Sequence, residues 1–269
     1  MTTGSIRPKK RFGQNFLRDQ NVIRSILALV KPCQEDNVLE IGPGTGVLTE
    51  GLIQSGAVIN AVEIDRNLCR LLSEKFQNNT NFILHQCDIL QFDLKELKKA
   101  SKPWKVVGNL PYNIATKILI DLLSHPSLFT KMVIMTQLEV AEKIVAAPHT
   151  SNYGRLSIAL QRKARVNIKL KLGKECFFPE PKVKSAVLEI RPKEKKIRND
   201  FEIKFSDLTR SAFNNRRKAI SNSLKDFFSS DELLSLGLNP KDRAQNLSIE
   251  TYEKLTNFLM LRERKEFGP

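Results

Sequence analysis

The feature that most constrains this chain is a regular alternation of short apolar runs with amphipathic stretches from residue 20 to about residue 140. Val38-Leu39-Glu40-Ile41 is a short, mostly apolar run that stops at glycines, as a strand buried on both faces does. Ala57–Glu63, Phe82-Ile83-Leu84, Lys105-Val106-Val107 and Met132–Met135 read as further strands. Helical spacing links Val22, Ile23, Ile26, Leu27 and Val30, a run that Pro32 ends. It recurs at Leu48, Leu52 and Ile53, at Leu68, Leu71, Leu72 and Phe76, and over Ile114–Leu123. This βαβα order predicts an α/β fold, a mostly parallel Rossmann-like sheet with helices on both faces.

After residue 160 the pattern changes. Val166–Leu172 and Ser185–Ile190 alternate polar and apolar residues, which suits antiparallel strands at the sheet edge. Residues 193–200 are charged and nearly free of apolar groups, and read as a linker. Beyond them lie short helical patterns at Phe205–Phe213, Arg216–Phe228, Asp231–Leu236 and Ile249–Leu261. Two domains are expected, 1–192 and a small all-helical 193–269.

The sharpest local motif is Glu40-Ile41-Gly42-Pro43-Gly44-Thr45-Gly46, which follows a strand and opens a helix. Glycine there permits close backbone approach to a ligand. Its G-x-G-x-G spacing disfavours a nicotinamide dinucleotide, whose fingerprint needs the third glycine at Val47. Glu63 ends the next strand, where an acid accepts hydrogen bonds from ribose hydroxyls, and Asp88 follows the third strand. Together they predict a nucleoside-type ligand. Asn109-Leu110-Pro111-Tyr112 follows the fourth strand. An Asn side-chain oxygen plus a freed backbone carbonyl can accept both hydrogens of an exocyclic amine, and Tyr112 offers a flat face for the base.

The chain carries a net charge of +15, unevenly spread. Residues 1–31 hold +6 and residues 155–184 hold +7, whereas residues 32–154 sum to −2. Basic patches around a near-neutral middle favour a polyanionic partner, nucleic acid or an anionic membrane face. The four cysteines form no CxxC pair and no Cys/His cluster, so neither a zinc site nor a disulfide framework is expected. No apolar run is long enough to span a membrane, and no apolar signal core opens the chain. These features predict a protein of a reducing compartment, the cytoplasm.

Four segments together carry a resemblance: Arg11-Phe12-Gly13-Gln14-Asn15-Phe16-Leu17, Glu40–Gly46, Asn109–Tyr112, and the stretch from Phe177-Phe178-Pro179-Glu180-Pro181 to Val187. In this order and spacing the chain resembles the ribosomal RNA adenine N6-dimethyltransferase family from about residue 7 to residue 260. Glu180 departs from the pattern, standing where the family is often apolar. Leu110, Phe213–Lys218 and Arg243–Leu247 resemble the small-subunit branch rather than the macrolide-resistance enzymes that act on large-subunit rRNA.

The resemblance implies a class I S-adenosylmethionine-dependent methyltransferase sheet. It places Asn15 and Leu17 over the methionine end of the cofactor, with Gly42 admitting the backbone to it. Glu63 is assigned to the ribose hydroxyls, Asp88 to the adenine amine, and Asn109 to the meeting point of cofactor and target base. Asn109 and the Pro111 carbonyl hold the target amine, while Tyr112 and one of Phe177 or Phe178 stack on its base. The Arg216-Arg217-Lys218 cluster is a phosphate contact or, failing that, a solvated helix face. The implied partner is small-subunit rRNA within a maturing 30S particle, met by a monomer. A large-subunit rRNA target and an RNA-binding assembly factor with secondary catalysis stand as alternatives.

Overall fold

The computed structural model describes residues 8–9, 13–111, 114–193 and 198–267, without the side chains of 98–99 and 265–267. The chain forms two compact units, residues 1–141 with 163–194, and residues 142–162 with 195–269.

The first unit begins with β1 (Phe16–Leu17) and α1 (Gln20–Val30), followed by β2 (Asn37–Ile41), α2 (Val47–Gln54), β3 (Val58–Glu63), α3 (Arg66–Phe76) and β4 (Phe82–Gln86). Next come β5 (Trp104–Asn109), α4 (Ala115–Leu122), β6 (Phe129–Gln137) and α5 (Leu138–Val145). After α6 (Arg155–Lys163) the chain returns as β7 (Ala164–Leu172), β8 (Phe177–Phe178) and β9 (Ser185–Pro192). Seven strands make one sheet in the order β4-β3-β2-β5-β6-β9-β7. The first five are parallel, and β9 pairs antiparallel with both β6 and β7, as the alternating patterns predict.

Burial explains why strand sequences this apolar form here. Val38, Ile59, Val107 and Val133 pack in one core with Ile23, Ile26 and Val30 of α1 and Leu52 of α2. Their neighbours Leu39, Val106, Met132 and Ile134 point to the other face and are equally buried. Both central strands also approach unusually closely at Gly108, where a Cβ would lie 2.6 Å from the Ile41 carbonyl oxygen. The chain steps outward from β2 through β3 to β4, then crosses back to β5 on the other side of β2. That reversal opens a crevice between β2 and β5, at the carboxyl ends of the strands.

The second unit holds α7 (Asn199–Asn214), α8 (Ile220–Ser223), α9 (Ser230–Ser235) and α10 (Ile249–Phe267). It differs from a contiguous 193–269 domain because residues 142–162 complete its core. Ala146, Tyr153 and Ile158 pack with Phe205, Leu208, Leu224, Tyr252 and Leu255. The helix expected over Arg216–Phe228 is reduced to the single turn of α8, because Ala219 instead bridges to Arg243. Arg162 on α6 is the unit's buried cation. It bonds Glu202 on α7 at 2.6 Å and Glu253 on α10 at 3.0 Å, and its guanidinium sits 4.2 Å from the Phe205 ring centre.

Candidate active site

A cleft of about 280 Å³ opens at the crevice and gathers Asn15, Gly42, Glu63, Asp88, Asn109 and Pro111 of the residues singled out from the sequence. Gly42 follows β2, Glu63 ends β3, Asp88 follows β4 and Asn109 ends β5. They converge because the parallel strands are in register, Ile41 lying opposite both Val62 and Gly108. Gly42 has φ +66, a left-handed conformation that only glycine adopts freely, and a Cβ there would sit 3.7 Å from the Asn109 carbonyl. The segment Gly13–Phe16 forms another wall of the cleft, and Ile64, Leu68 and Ile89 supply apolar surface.

Glu63 is buried, and burial raises its carboxyl above the ordinary value against the pull of backbone donors. The Asp65 N–H donates to Oε1 at 2.9 Å and the Gly44 N–H to Oε2 at 3.2 Å. These donors fix the carboxylate, and each oxygen keeps a lone pair for a hydroxyl. Asp88 accepts from the Leu90 N–H through Oδ1 at 2.9 Å and lines the cleft, and no described donor bonds its Oδ2. Two acceptor groups set along one apolar cleft, with glycine backbone at its inner end, fit a ribonucleoside carrying a hydroxyl-bearing sugar and an amino-bearing base.

Asn109 donates from Nδ2 to the Asn15 carbonyl at 2.9 Å. A carbonyl can only accept, so this bond fixes the amide orientation and turns Oδ1 to the task of accepting. The Pro111 carbonyl corrects an expectation. It accepts from both the Ile114 N–H at 3.1 Å and the Ala115 N–H at 3.0 Å, so it caps the start of α4 and is not free for an amine. No described donor reaches the preceding carbonyl, that of Leu110, which also lines the cleft. Tyr112 lies outside the described residues.

The N-terminal wall is held by a network that the sequence did not reveal. Asp65, nearly fully buried, accepts from Lys9 Nζ at 2.6 Å, Gln14 Nε2 at 2.9 Å and the Asn67 N–H at 2.9 Å. Gln14 Oε1 in turn accepts from the Lys9 N–H at 2.7 Å. In sequence Asp65 is an ordinary helix N-cap for α3, and nothing marks it as the anchor of a segment fifty residues away. The same wall is joined to a segment about 160 residues further along the chain through β1, which pairs antiparallel with β8, Phe16 opposite Phe178 and Leu17 opposite Phe177. That pairing separates the two phenylalanines. Phe177 is fully buried in the main core and unavailable for stacking, whereas Phe178 is 56% exposed. Leu17 is likewise a core residue and borders only a smaller pocket behind the main cleft, with Asn15 lining both.

Glu40 lies at that smaller pocket, fully buried, with Thr49 Oγ1 donating to it at 2.7 Å. Burial pushes its carboxyl up to about 7 from an ordinary value near 4.5, with the Glu63 charge adding to the rise. Between those two values the folded protein holds a proton that the unfolded chain has released, so this group lowers stability as pH rises from 4.5 to 7. Glu40→Gln is therefore expected to stabilise the cofactor-free protein above pH 7 by on the order of 3 kcal/mol. Urea denaturation across pH checks this, with the gain vanishing towards pH 4.5.

A sequence profile described as ribosomal RNA adenine dimethylase matches residues 6–261. The chain belongs to the ribosomal RNA adenine dimethylase family. A protein of Pseudomonas savastanoi pv. phaseolicola named ribosomal RNA small subunit methyltransferase A is 42% identical over 255 residues, 94% of this chain and 95% of that protein. One of the same name from Neisseria meningitidis serogroup C is 42% identical, covering 93% and 96%. Among solved structures, a dimethyladenosine transferase from Plasmodium falciparum superposes with a TM-score of 0.78 at 25% identity, over 93% of this chain and 98% of that one. The 23S rRNA methyltransferase ErmE gives 0.71 at 26% identity, over 91% and 100%. The sheet is thus that of an S-adenosylmethionine-dependent class I methyltransferase.

In the helical unit of the dimethylase, the basic cluster divides by role. Arg216 donates to the carbonyls of Ser151 and Tyr153 and, at 3.2 Å, to Gln245 Oε1, which ties the 151–153 loop to the 244–246 turn. Arg217 and Lys218 are exposed, with no described carboxylate paired to them. Arg162, counted from sequence within the basic stretch 155–184, is a buried structural cation.

Proposed function

We propose that the protein transfers methyl groups from S-adenosylmethionine to N6 of two adjacent adenosines in the 3′-terminal hairpin loop of small-subunit rRNA, yielding N6,N6-dimethyladenosines during maturation of the subunit. The observation that carries this reading is the Asn109 amide, locked by the Asn15 carbonyl with its oxygen left to accept. Glu63 holds the ribose hydroxyls, Asp88 Oδ2 the adenine amine, and Asn15 with the Gly42–Gly44 backbone the methionine end. When bound, the cofactor supplies an electrophilic sulfonium methyl.

The protein's task is the nucleophile. Asn109 Oδ1 and the Leu110 carbonyl accept the two hydrogens of the target amine, drawing its lone pair out of conjugation and aiming it at the methyl. Once the amine so held had taken the methyl that the bound cofactor would supply, the resulting ammonium would give its proton to water without a dedicated base. An adenine inside a stem is out of reach, so the base is unpaired or flipped, with Phe178 and Tyr112 as stacking surfaces. Arg217 and Lys218 contact phosphate. The enzyme works as a cytoplasmic monomer on a maturing 30S particle. Among the described residues no helix is long and apolar enough to cross a membrane.

The likeness to ErmE keeps one second reading open, the same chemistry on large-subunit rRNA. Incubating the protein with labelled cofactor and under-methylated small subunits, then analysing the product nucleosides, is expected to yield N6,N6-dimethyladenosine in the 3′-terminal loop. No label in that loop sinks the reading, and label in large-subunit rRNA alone, when under-methylated large subunits are supplied in parallel, favours the second.

A further inference from the structure

The register of the sheet places a row of cations across four adjacent strands of the first unit. Lys105 on β5 pairs with Lys131 on β6, Met132 pairs with Ile190 so that Lys131 abuts Arg191 on β9, and Arg191 pairs with Arg165 on β7. Registered residues share a face, and Lys31, just past the end of α1, joins the row on that side. Like charges set side by side across strands are destabilising. Lys131 feels this directly, because burial and then the charges of Arg191, Lys105 and Lys31 hold its ammonium below the ordinary lysine value.

Internal partners account for part of the row only. Lys105 bonds Asp36 at 2.6 Å and the Lys31 carbonyl at 2.7 Å, and Lys131 bonds the Leu29 carbonyl at 2.7 Å. Both therefore cap the last turn of α1. Arg191 bonds Glu189, which is shared with Lys169. Lys31 and Arg165 are exposed, and no described carboxylate pairs with either. Charged side chains on an edge strand such as β7 guard against strand pairing. That does not explain Lys31, Lys105 and Lys131, which lie on interior strands and a helix end.

We propose that this row is a second RNA contact, holding a phosphodiester backbone at the end of the sheet opposite the methyl-transfer cleft. The inference rests on the RNA-modifying function proposed above, to which it adds a docking surface. Four residues of β5 separate Lys105 from Asn109, roughly 13 Å along the strand, so the row cannot touch the base being methylated. A route between the two exists along the sheet edge. Arg165, Lys169 and Lys171 are exposed along β7, which runs from the row towards the Phe177-Phe178 strand beside the cleft wall. RNA bound along this path has its backbone fixed at one end while the target base enters at the other.

The test replaces Lys31, Arg165 and Arg191 together by alanine, leaving the helix-capping Lys105 and Lys131 in place. Binding to under-methylated small subunits is measured across salt concentrations, with cofactor affinity and thermal midpoint as controls. Expected is about a tenfold or greater loss of affinity near physiological salt and a log–log salt slope shallower by roughly 2, since each phosphate contact adds about 0.7–0.9. Cofactor affinity stays at the wild-type value. An unchanged slope, with wild type and variant binding alike, overturns the inference and leaves the proposed function standing. Absence of binding by the wild type overturns both. Loss of binding to anionic phospholipid vesicles with an unchanged RNA slope also overturns it, and assigns the row to a membrane surface.

Discussion

Asn109→Ala is expected to lower the rate constant for methyl transfer by roughly 10²–10³-fold, the usual cost of removing one donor or acceptor aimed at a reacting group. The substitution removes two things at once, the oxygen proposed to hold the target amine and the Nδ2–H that holds the Asn15 carbonyl at 2.9 Å. They are separable by measurement. Loss of the oxygen lowers kcat at saturating cofactor, whereas loss of the tether to Asn15 weakens cofactor binding. The larger effect belongs to kcat, because the N-terminal wall is independently anchored through Gln14 and Lys9 on Asp65. Single-turnover kinetics with pre-bound under-methylated subunits, alongside calorimetric cofactor titration, distinguish the two. A variant that keeps a wild-type single-turnover rate would remove Asn109 from the reacting centre.

Arg162→Ala is expected to cost the helical unit about 3 kcal/mol, the lower range for breaking a buried ion pair by deleting one partner. The side chain is 3% exposed, bridges Glu202 and Glu253, and stacks near Phe205 and Phe201. Its removal leaves two carboxylates facing each other beside an aromatic cavity. Amide hydrogen exchange in α7 and α10 then accelerates by about 10²-fold, the equivalent of that energy. Arg162→Met restores only the packing part of the loss, since apolar volume replaces the stem while Glu202 and Glu253 still lose the guanidinium. Exchange unchanged in Arg162→Ala would mean that α6, α7 and α10 are held by packing alone.

The sheet was legible because its strands are buried on both faces, and continuous apolar runs between glycine turns leave few other assignments. The cleft was legible where residues follow strand ends, since register carries Gly42, Glu63, Asp88 and Asn109 to one place. Pairings between distant segments left no such trace. Nothing local in Asp65 records its bonds to Lys9 and Gln14. The difference between Phe177 and Phe178 appears only once β1 and β8 pair, because strand alternation sends one inward and the other out. The boundary expected at 193 lies beside the Glu194/Lys195 break, whereas the place of 142–162 in the helical unit left no local trace, because a charge run marks where a linker is solvated, not which residues complete a core. Arg162 shows the same limit. A basic residue in a basic stretch counts as surface until its carboxylate partners, 40 and 91 residues away, are known.

The β1–β8 pairing also has a consequence for the order in which the protein is made. The strand partner of the cleft wall Gly13–Phe16 leaves the ribosome about 160 residues after it. At 5–20 residues per second, roughly 8–30 seconds separate the two strands. Until Phe178 has been synthesised, that wall lacks its strand partner, while its bonds to Asp65 and Asn109 are already available. A nascent chain can therefore pair the five parallel strands β2–β6 well before β1 gains its partner, whereas β9, which completes the sheet between β6 and β7, follows β8.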